Sequence, residues 1–294
     1  MNKSKNKNIQ RDLDRIVAAL DAGGKMYRAR SMENVRVHKK GSGDAVTDVE
    51  LQVNKLLFEM LVEDGDGWLS EEDVDNEDRL RCSRVWLVDP LDGTIEYVEG
   101  IPEWCISIAL MEGGELVAAG ILNPQTDELI YGSREIGVVC RNGRAHSAEM
   151  KIPPREALVL ASRSEVKRGE WKRFSQSPFQ TLAVGSVAYK LALVAAGKAD
   201  ATWTLVPKSE WDVAAGVALV QFARGHLLTT EGLPPTFNRK NTRLPGLVGF
   251  SAVGLDRLRP FLKSVLETDE FRDCLPWARP LATLDSEVKQ RRGE

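Results

Sequence analysis

A short apolar run that stops at two carboxylates limits the architectures open to this 294-residue chain. The run Val85-Trp86-Leu87-Val88 predicts a strand, and Asp89-Pro90-Leu91-Asp92-Gly93-Thr94 follows it directly. Proline and glycine are typical of a turn, but two carboxylates three positions apart repel each other unless protons or cations neutralise them. Oxygen donors of this kind suit Mg²⁺ or Mn²⁺, and Gly93-Thr94 would free backbone N–H groups for an anion at the start of the next element.

The first half of the sequence predicts two helices followed by antiparallel strands. Apolar residues recur at helical spacing over residues 9–30, with a Gly-Gly interruption, and over residues 48–63. The segment 106–120 predicts a hairpin around Glu112-Gly113-Gly114, and Asn142-Gly143 predicts the turn of a second hairpin.

The second half alternates predicted strands and helices. ALVLAS, QTLAVG and ATWTLV predict strands, whereas SEVKRGEWKRF, VAYKLALVAAG and DVAAGVALVQFA predict helices. Such alternation favours a sheet that is covered by helices. Pro153-Pro154 is the strongest candidate for a boundary, which gives an N-terminal α+β domain over residues 1–150 and a C-terminal α/β domain over residues 151–294.

Composition and charge exclude several classes of function. The net charge of −3 comes with scattered basic residues, so no nucleic-acid polymer is expected as a partner. The four cysteines form no C-x-x-C and the three histidines form no H-E-x-x-H, which leaves zinc without a ligand set. The N-terminus is polar and no apolar stretch reaches the roughly 20 residues of a membrane span, so we expect a cytoplasmic protein without a membrane partner.

Further carboxylates stand at the ends of predicted elements. Glu71-Glu72 lies in an acidic loop and Asp212 opens a predicted helix. Each has a simpler interpretation, because the loop could be solvated, Asp212 could cap its helix and Asp89 could form a turn. Carboxylates that bind metal ions, together with the backbone N–H donors of Gly93 and Thr94, are the groups that an enzyme needs to bind and activate a phosphate ester. The spacing D-x-x-D-G-T places Pro90 where D-x-D-G-T phosphatases carry their nucleophile, which favours direct attack by water.

Three motifs together resemble one family. WLVDPLDGTIEYVEG, with LSEE upstream and EWDVAAG downstream, resembles the inositol monophosphatase superfamily of Mg²⁺-dependent phosphomonoesterases, and the likeness extends from the N-terminal helix to about Phe250. The resemblance implies a layered αβαβα sandwich of the inositol monophosphatase and fructose-1,6-bisphosphatase type. It also implies two or three Mg²⁺ ions in each active site, with Mn²⁺ as a substitute, sensitivity to lithium and a homodimer.

The resemblance assigns roles to individual residues as well. Asp89 would bridge two of the metal ions, and a third, weaker ion would involve Glu71. The implied metal ligands are Glu71, Asp89, the backbone carbonyl of Leu91, Asp92 and Asp212. Gly93 and Thr94 would bind the scissile phosphate through backbone N–H groups, while the Thr94 hydroxyl orients the attacking water. The implied catalytic residues are Glu50, Thr94 and Glu71.

One position departs from the family pattern. The family usually places an aspartate three residues after a threonine, where it partners the catalytic threonine, whereas here Glu50 follows Thr47. A T-x-x-E sequence at a helix start is also a capping box, with Thr47 as N-cap and Glu50 at N3. Glu50 is therefore either a longer substitute base or a capping residue, and Asp48 is the alternative partner of Thr94.

The substrate motifs resemble the 3′(2′),5′-bisphosphate nucleotidase branch. LSEE, the triplet Ser162-Arg163-Ser164 and FNRKNTRLPGLVGFSA carry this likeness, and an inositol-type enzyme usually has a glutamate where this chain has Leu205. The nucleotidase pattern is itself altered, since Glu165 breaks S-R-S-H and Lys190 is displaced by one position. The implied substrate contacts are Arg163, Ser164, Ser186, Lys190 and Lys208.

These motifs lead to one main hypothesis and three alternatives. The main hypothesis is a Mg²⁺-dependent phosphomonoesterase that acts on 3′-phosphoadenosine 5′-phosphate or a related small phosphate ester. Inositol 1-phosphate and fructose 1,6-bisphosphate are the alternative substrates. A protein of another class, a catalytically weak regulator that binds metal and phosphate, is the third alternative because Glu50 replaces the usual aspartate.

Overall fold

The structure is a computed structural model that describes residues 3–30, 37–39, 45–141, 156–267, 277–278 and 280–281. Its α-helices are α1 (Lys3–Arg28), α2 (Asp48–Leu61), α3 (Thr94–Val98), α4 (Arg163–Lys167), α5 (Val187–Ala195), α6 (Glu210–Phe222) and α7 (Ala252–Glu267). Its strands are β1 (Val37–Lys39), β2 (Ala45–Thr47), β3 (Gly67–Ser70), β4 (Arg84–Asp92), β5 (Cys105–Glu112), β6 (Glu115–Asn123), β7 (Glu128–Ser133), β8 (Gly137–Arg141), β9 (Ala157–Ser162), β10 (Phe179–Val184), β11 (Ala201–Thr204), β12 (Lys208–Ser209), β13 (His226–Thr229), β14 (Arg243–Leu244) and β15 (Leu247–Phe250).

Two large sheets organise these elements. The first has the strand order β3-β4-β5-β6-β7-β8, and β3 pairs with β4 in parallel while the other neighbours are antiparallel. The second has the order β10-β9-β11-β15-β13, with β9 parallel to both β10 and β11. The predicted turn at Glu112-Gly113-Gly114 does connect β5 to β6.

Side chains alternate across β4 and so separate two layers of core. Val85 and Leu87 pack with α5 and α6 between the two sheets. Trp86 and Val88 pack on the other face with α1 and α2. A third core joins the outer face of the second sheet to α7. The order helix, sheet, helix, sheet, helix confirms the predicted αβαβα sandwich.

Strand β4 is longer than its apolar run predicts. The run ends at Val88, but pairing with β5 continues through Asp89 opposite Ser107 and resumes at Asp92 opposite Cys105. The ladder shifts register between Asp89 and Asp92, and a proline is tolerated at such an irregularity because no ladder N–H is needed there. The carboxylates are therefore part of the rigid strand and not of a turn.

The Gly-Gly pair does not interrupt α1, which corrects the sequence prediction. A Cβ atom at Gly23 would lie 2.9 Å from the Ile106 side chain, and one at Gly24 would lie 2.6 Å from Leu122. The two glycines therefore let the helix backbone approach the sheet closely, and the packing against the sheet offsets their low helix propensity.

The second half differs from its predicted elements in one place. The predicted helix over SEVKRGEWKRF is divided into α4 and a 3₁₀ segment, Glu170–Phe174, because Gly169 adopts a positive φ of 81°. Asn142-Gly143 and the boundary at Pro153-Pro154 lie outside the described residues, so the division into two domains stays a prediction. None of the helices in the described ranges is long and apolar enough to cross a membrane.

Candidate metal and phosphate site

Three carboxylates from separate elements converge at one point. Glu71 follows the end of β3, Asp89 lies in β4, and the two strands are parallel neighbours, so both side chains are at the same edge of the sheet. Asp212 reaches this edge from the first turn of α6. Each residue offers one oxygen, and the three oxygens lie within 4.8 Å of one another.

This carboxylate cluster has the chemistry of a divalent-cation site. Asp89 is buried, its Oδ1 accepts the Leu91 N–H at 2.9 Å, and its Oδ2 has no hydrogen-bond partner among the described residues. Burial raises the pKa of Asp89 well above its usual range, and the nearby acids, Glu71 first among them, add to the effect. Burial together with Asp92 raises the pKa of Asp212 to about 7. Carboxylates held this close are stable when a hard cation such as Mg²⁺ neutralises them, so the donor set fits the predicted metal.

The first turn of α6 holds Asp212 in place. Ser209 is the N-cap residue of this helix, and Asp212 occupies N3 and accepts the Ser209 N–H at 2.9 Å, which forms a capping box. The simpler interpretation, in which Asp212 is itself the N-cap, is therefore wrong. The cap positions the carboxylate while leaving its second oxygen for the cluster.

Asp92 is held by the second half of the chain. Its Oδ2 accepts the Ser186 hydroxyl at 2.5 Å and the Ala188 N–H at 2.7 Å. Ser186 is the N-cap of α5, with a φ of 51°, and its hydroxyl oxygen also accepts the Tyr189 N–H at 3.0 Å. These bonds occupy Oδ2 and leave Oδ1 as the atom of Asp92 that could reach a cation.

Gly93 and Thr94 form the start of α3, beside the carboxylates. Gly93 has a φ of 101°, and a Cβ there would lie 3.0 Å from Trp104 Cβ, so both backbone conformation and space require glycine. Thr94 follows as the first residue of α3, and its hydroxyl donates to the Leu91 carbonyl at 3.3 Å.

A cavity of about 500 Å³ collects most of the predicted site residues. Those lining it on the metal and phosphate side are Glu71, Leu91, Asp92, Gly93, Thr94 and Asp212. Those lining the remaining walls are Ser164, Ser186, Lys190 and Lys208. The same cavity thus contains these predicted substrate contacts and the carboxylates of Glu71, Asp92 and Asp212.

Lys190 is a buried cation at this cavity. Its ammonium donates to the Ser186 carbonyl at 2.9 Å and to the Val184 carbonyl at 3.3 Å. Burial, reinforced by the nearby charge of Lys208, lowers the pKa of Lys190 to about 8. At neutral pH the cavity wall therefore still carries the charge of this lysine.

Arg163 makes an ion pair beside this cavity, and its assignment as a substrate contact stays a prediction. Its guanidinium pairs with Glu103, with Nε at 3.1 Å from Oε2, and the same carboxylate accepts the Gly185 N–H at 2.7 Å. The arginine therefore supports the loop before Ser186 through Glu103, and it is absent from the residues lining the cavity.

Glu50 makes the capping contacts that its sequence position predicts. Its Oε2 accepts the Thr47 N–H at 3.0 Å, while the Thr47 hydroxyl oxygen accepts the Glu50 N–H at 3.2 Å. The side chain is buried beside Glu72, and burial together with that neighbour raises the pKa of Glu50 to about 9. Asp48, the alternative partner of Thr94, is the first residue of α2.

Two residues near the site escape sequence reasoning. The Tyr27 hydroxyl donates to the Pro90 carbonyl at 2.9 Å and so fixes β4 between two predicted ligands, but nothing near Tyr27 in the sequence signals this contact. Glu96 lines the cavity, and a Cβ at Gly185 would lie 2.6 Å from its Oε1. Its position two residues after Thr94 is a signal that could have identified it.

Comparison with known proteins identifies this arrangement. The sequence pattern of the inositol monophosphatase family matches residues 10–246. The chain belongs to the inositol monophosphatase family. Members of this family are metal-dependent phosphomonoesterases, and the chain is a hydrolase of that class.

Three relatives illustrate the breadth of the family. The inositol-1-monophosphatase of Mesorhizobium japonicum is 33% identical over 229 residues, which cover 74% of this chain and 84% of that protein. The Nus factor SuhB of Xylella fastidiosa is 32% identical over 231 residues, which cover 74% and 81% of the two chains. The crystal structure of CysQ from Bacteroides thetaiotaomicron matches 82% of this chain and 97% of its own with a TM-score of 0.66 at 21% identity, which is a likeness of fold.

Proposed function

We propose that the protein hydrolyses a phosphate monoester whose leaving group carries a second anionic group, and that its best substrate is 3′-phosphoadenosine 5′-phosphate. The observation that carries this proposal is the pair of lysines, Lys190 and Lys208, in the wall of the cavity that contains the carboxylate cluster. Lysine ammonium groups bind phosphate as point charges, and a buried one binds it with little screening by water.

Mg²⁺ is the proposed cofactor. Glu71, Asp89 and Asp212 would hold it, with Asp92 Oδ1 and the Leu91 carbonyl as further donors. When bound, the ions supply neutralisation of the phosphate charge and a lower pKa for the nucleophilic water.

The residues around the cluster would act on the phosphate and on the water. The backbone N–H groups of Gly93 and Thr94 bind the phosphate oxygens, and the Thr94 hydroxyl orients the water for attack on phosphorus. Glu50 would receive the proton from the water in its carboxylate form, which cations held by the cluster favour because they neutralise Glu71, one of the acids that raise the pKa of Glu50. Glu71 would assist by helping to orient this water.

Leu205 stands where inositol-type enzymes usually have the glutamate that contacts a ring hydroxyl, and this difference favours a substrate other than inositol phosphate. Its backbone N–H donates to the buried Glu165 carboxylate at 2.9 Å, and its side chain packs against the core around the second sheet. No carboxylate is therefore available at this position to accept a hydrogen bond from an inositol hydroxyl.

Inositol 1-phosphate is the second candidate substrate, because a relative at 33% identity is named an inositol-1-monophosphatase. Fructose 1,6-bisphosphate is a further candidate that also carries two phosphates. A regulatory protein that binds metal and phosphate with little turnover is the candidate of another class, and a relative named as a Nus factor favours testing it.

Phosphate release from a panel of the three esters, with Mg²⁺ and with an excess of chelator, tests the proposal. We expect the highest kcat/KM on 3′-phosphoadenosine 5′-phosphate, no release with chelator, and inhibition by lithium, as the family resemblance implies. Faster release from inositol 1-phosphate would overturn the proposed substrate. Absence of release from every ester would favour the regulatory function. We also propose a homodimer, which light scattering of the purified protein tests.

A further inference from the structure

Two of the three carboxylates in the cluster, Glu71 and Asp212, belong to different parts of the fold. Glu71 begins the acidic loop, residues 71–76, which follows strand β3 of the first sheet. Asp212 lies in α6, which packs between the two sheets. A third segment, residues 237–243, lies against both, and we call it the bridging loop. Its contacts define how the two sides of the cluster are held together.

Arg79 anchors the acidic loop to the bridging loop. It lies in the 3₁₀ segment Glu77–Arg81 and is 2% exposed. Its Nε and Nη2 donate to the two carboxylate oxygens of Asp75 at 2.6 and 2.7 Å. Its Nη1 donates to Asn238 Oδ1 at 2.6 Å, and Nη2 also donates to the Arg239 carbonyl at 2.9 Å. One guanidinium therefore joins the two loops through four hydrogen bonds.

The bridging loop is joined in turn to the start of α6. Glu210, the first residue of that helix, is fully buried and accepts the Asn238 N–H at 2.6 Å and the Arg239 N–H at 3.0 Å. The Glu210 N–H donates to the Thr242 carbonyl at 2.9 Å. Glu210 stands two residues before Asp212, in the same helical turn. Hydrogen bonds thus run without a break from the acidic loop to the helix turn that carries Asp212.

We propose that Arg79, Asn238 and Glu210 form a positioning latch that sets the separation of Glu71 and Asp212 and thereby the affinity of the cluster for divalent cations. The inference rests on the proposed metal site. None of the three residues belongs to the carboxylate cluster, so each is a positioning residue and acts through the segment that carries a ligand.

Burial makes this latch effective. A buried guanidinium whose N–H groups are all hydrogen-bonded has one favourable geometry. Loss of one partner leaves a buried polar group without a hydrogen bond. The acidic loop would then be free to move relative to α6. Because cation affinity depends on ligand positions within tenths of an ångström, groups that orient ligands from outside the site typically change metal affinity about 10–100-fold when altered.

Three variants separate the latch from general stability. Arg79→Lys retains the charge but lacks the planar fork that reaches both Asp75 and Asn238. Asn238→Gly removes the amide while keeping the positive φ of 55° at that position. Lys240→Ala is the matched control, because Lys240 pairs with Glu77 at 3.2 Å across the same two segments, but both side chains are exposed. An exposed pair contributes little to stability.

The measurement is Mn²⁺ binding to metal-free protein, by isothermal titration calorimetry and by electron paramagnetic resonance of the free ion. We expect Arg79→Lys and Asn238→Gly to weaken Mn²⁺ binding by about tenfold or more, and Lys240→Ala to leave it unchanged. We also expect kcat at saturating Mg²⁺ to stay within about threefold of wild type in Asn238→Gly, because the ligands themselves are intact.

Unchanged Mn²⁺ affinity in folded Asn238→Gly would overturn the latch, as would a fall in kcat without a change in metal affinity. Thermal melting identifies a variant that has failed to fold. If Arg79→Lys does not fold, Asn238→Gly still tests the inference, because it removes no charge. Wild type that binds Mn²⁺ but releases no phosphate would refute the proposed function while the latch is still tested. Wild type that binds no Mn²⁺ would overturn both.

Discussion

Replacing Glu50 by glutamine should make the free energy of unfolding depend less on pH in the alkaline range. The carboxyl is buried, and its pKa in the folded chain is about 9 against an ordinary value of 4.5. The folded state therefore binds this proton more tightly than the unfolded chain does. Its contribution to stability is complete below the unfolded pKa and is lost as the pH rises toward the folded pKa.

The magnitude follows from the number of protons. Between about pH 6 and about pH 9 the folded protein retains the proton of Glu50 and the unfolded chain does not, so the free energy of unfolding falls by at most about 4 kcal/mol. Because Glu72 lies close enough to share the proton, we expect a fall of about 2–3 kcal/mol. A glutamine carbonyl can still accept the Thr47 N–H, so the capping box survives the substitution.

Urea denaturation of metal-free wild type and Glu50→Gln at the two pH values measures this difference. The control is Glu59→Gln, since Glu59 lies on the same helix with its side chain 60% exposed. We expect a smaller fall in stability for Glu50→Gln than for wild type and an unchanged fall for the control. Equal pH dependence in wild type and Glu50→Gln would refute the reasoning about burial.

Four further outcomes are expected. Glu50→Gln should lower kcat at saturating Mg²⁺ by about 10²–10⁴-fold if it receives the proton, and an unchanged kcat would leave Glu50 as a capping residue alone. Asp92→Asn should lower kcat by about 10³-fold or more with an unchanged melting temperature, because an amide can still accept the Ser186 hydroxyl but ligates Mg²⁺ poorly; near wild-type turnover would contradict the site. Ser186→Ala should lower the free energy of unfolding by about 2–4 kcal/mol in urea, since it removes a helix cap and a hydrogen bond to a carboxylate, and a loss below about 0.5 kcal/mol would contradict this. The KM for 3′-phosphoadenosine 5′-phosphate should rise above about pH 8 as Lys190 loses its charge, and Lys190→Met should abolish that rise; the same rise in the variant would exclude Lys190 as its origin.

Sequence reasoning located the carboxylate cluster because its residues occupy ends of elements that the periodicity of apolar residues makes visible. The run ending at Val88, the capping box of Thr47 and the helix beginning near Trp211 each have a local signal. Such signals depend on neighbours in the chain, so they place Asp89 and Asp212 on their elements without knowledge of the tertiary fold.

The contacts that depend on tertiary structure were not accessible in this way. The guanidinium of Arg163 could bind a phosphate, but it pairs with Glu103, 60 residues away, and no local sequence pattern indicates this pairing. The role of Asn238 depends on Arg79, 159 residues earlier, and no local pattern connects the two. The Gly-Gly pair in α1 predicts a break in the helix, because the sequence does not reveal the sheet against which the two glycines pack.

Initial rates of phosphate release from 3′-phosphoadenosine 5′-phosphate against Mg²⁺ concentration, for wild type and Asp212→Asn, test the central claim most directly. Asp212 belongs to the carboxylate cluster and lines the cavity that we propose as the phosphate site. We expect the wild-type rate to rise with Mg²⁺ to a plateau and to vanish with chelator, while Asp212→Asn shows no Mg²⁺-dependent rate. A wild-type rate that is independent of Mg²⁺, or an Asp212→Asn curve that overlays the wild type, would contradict the account.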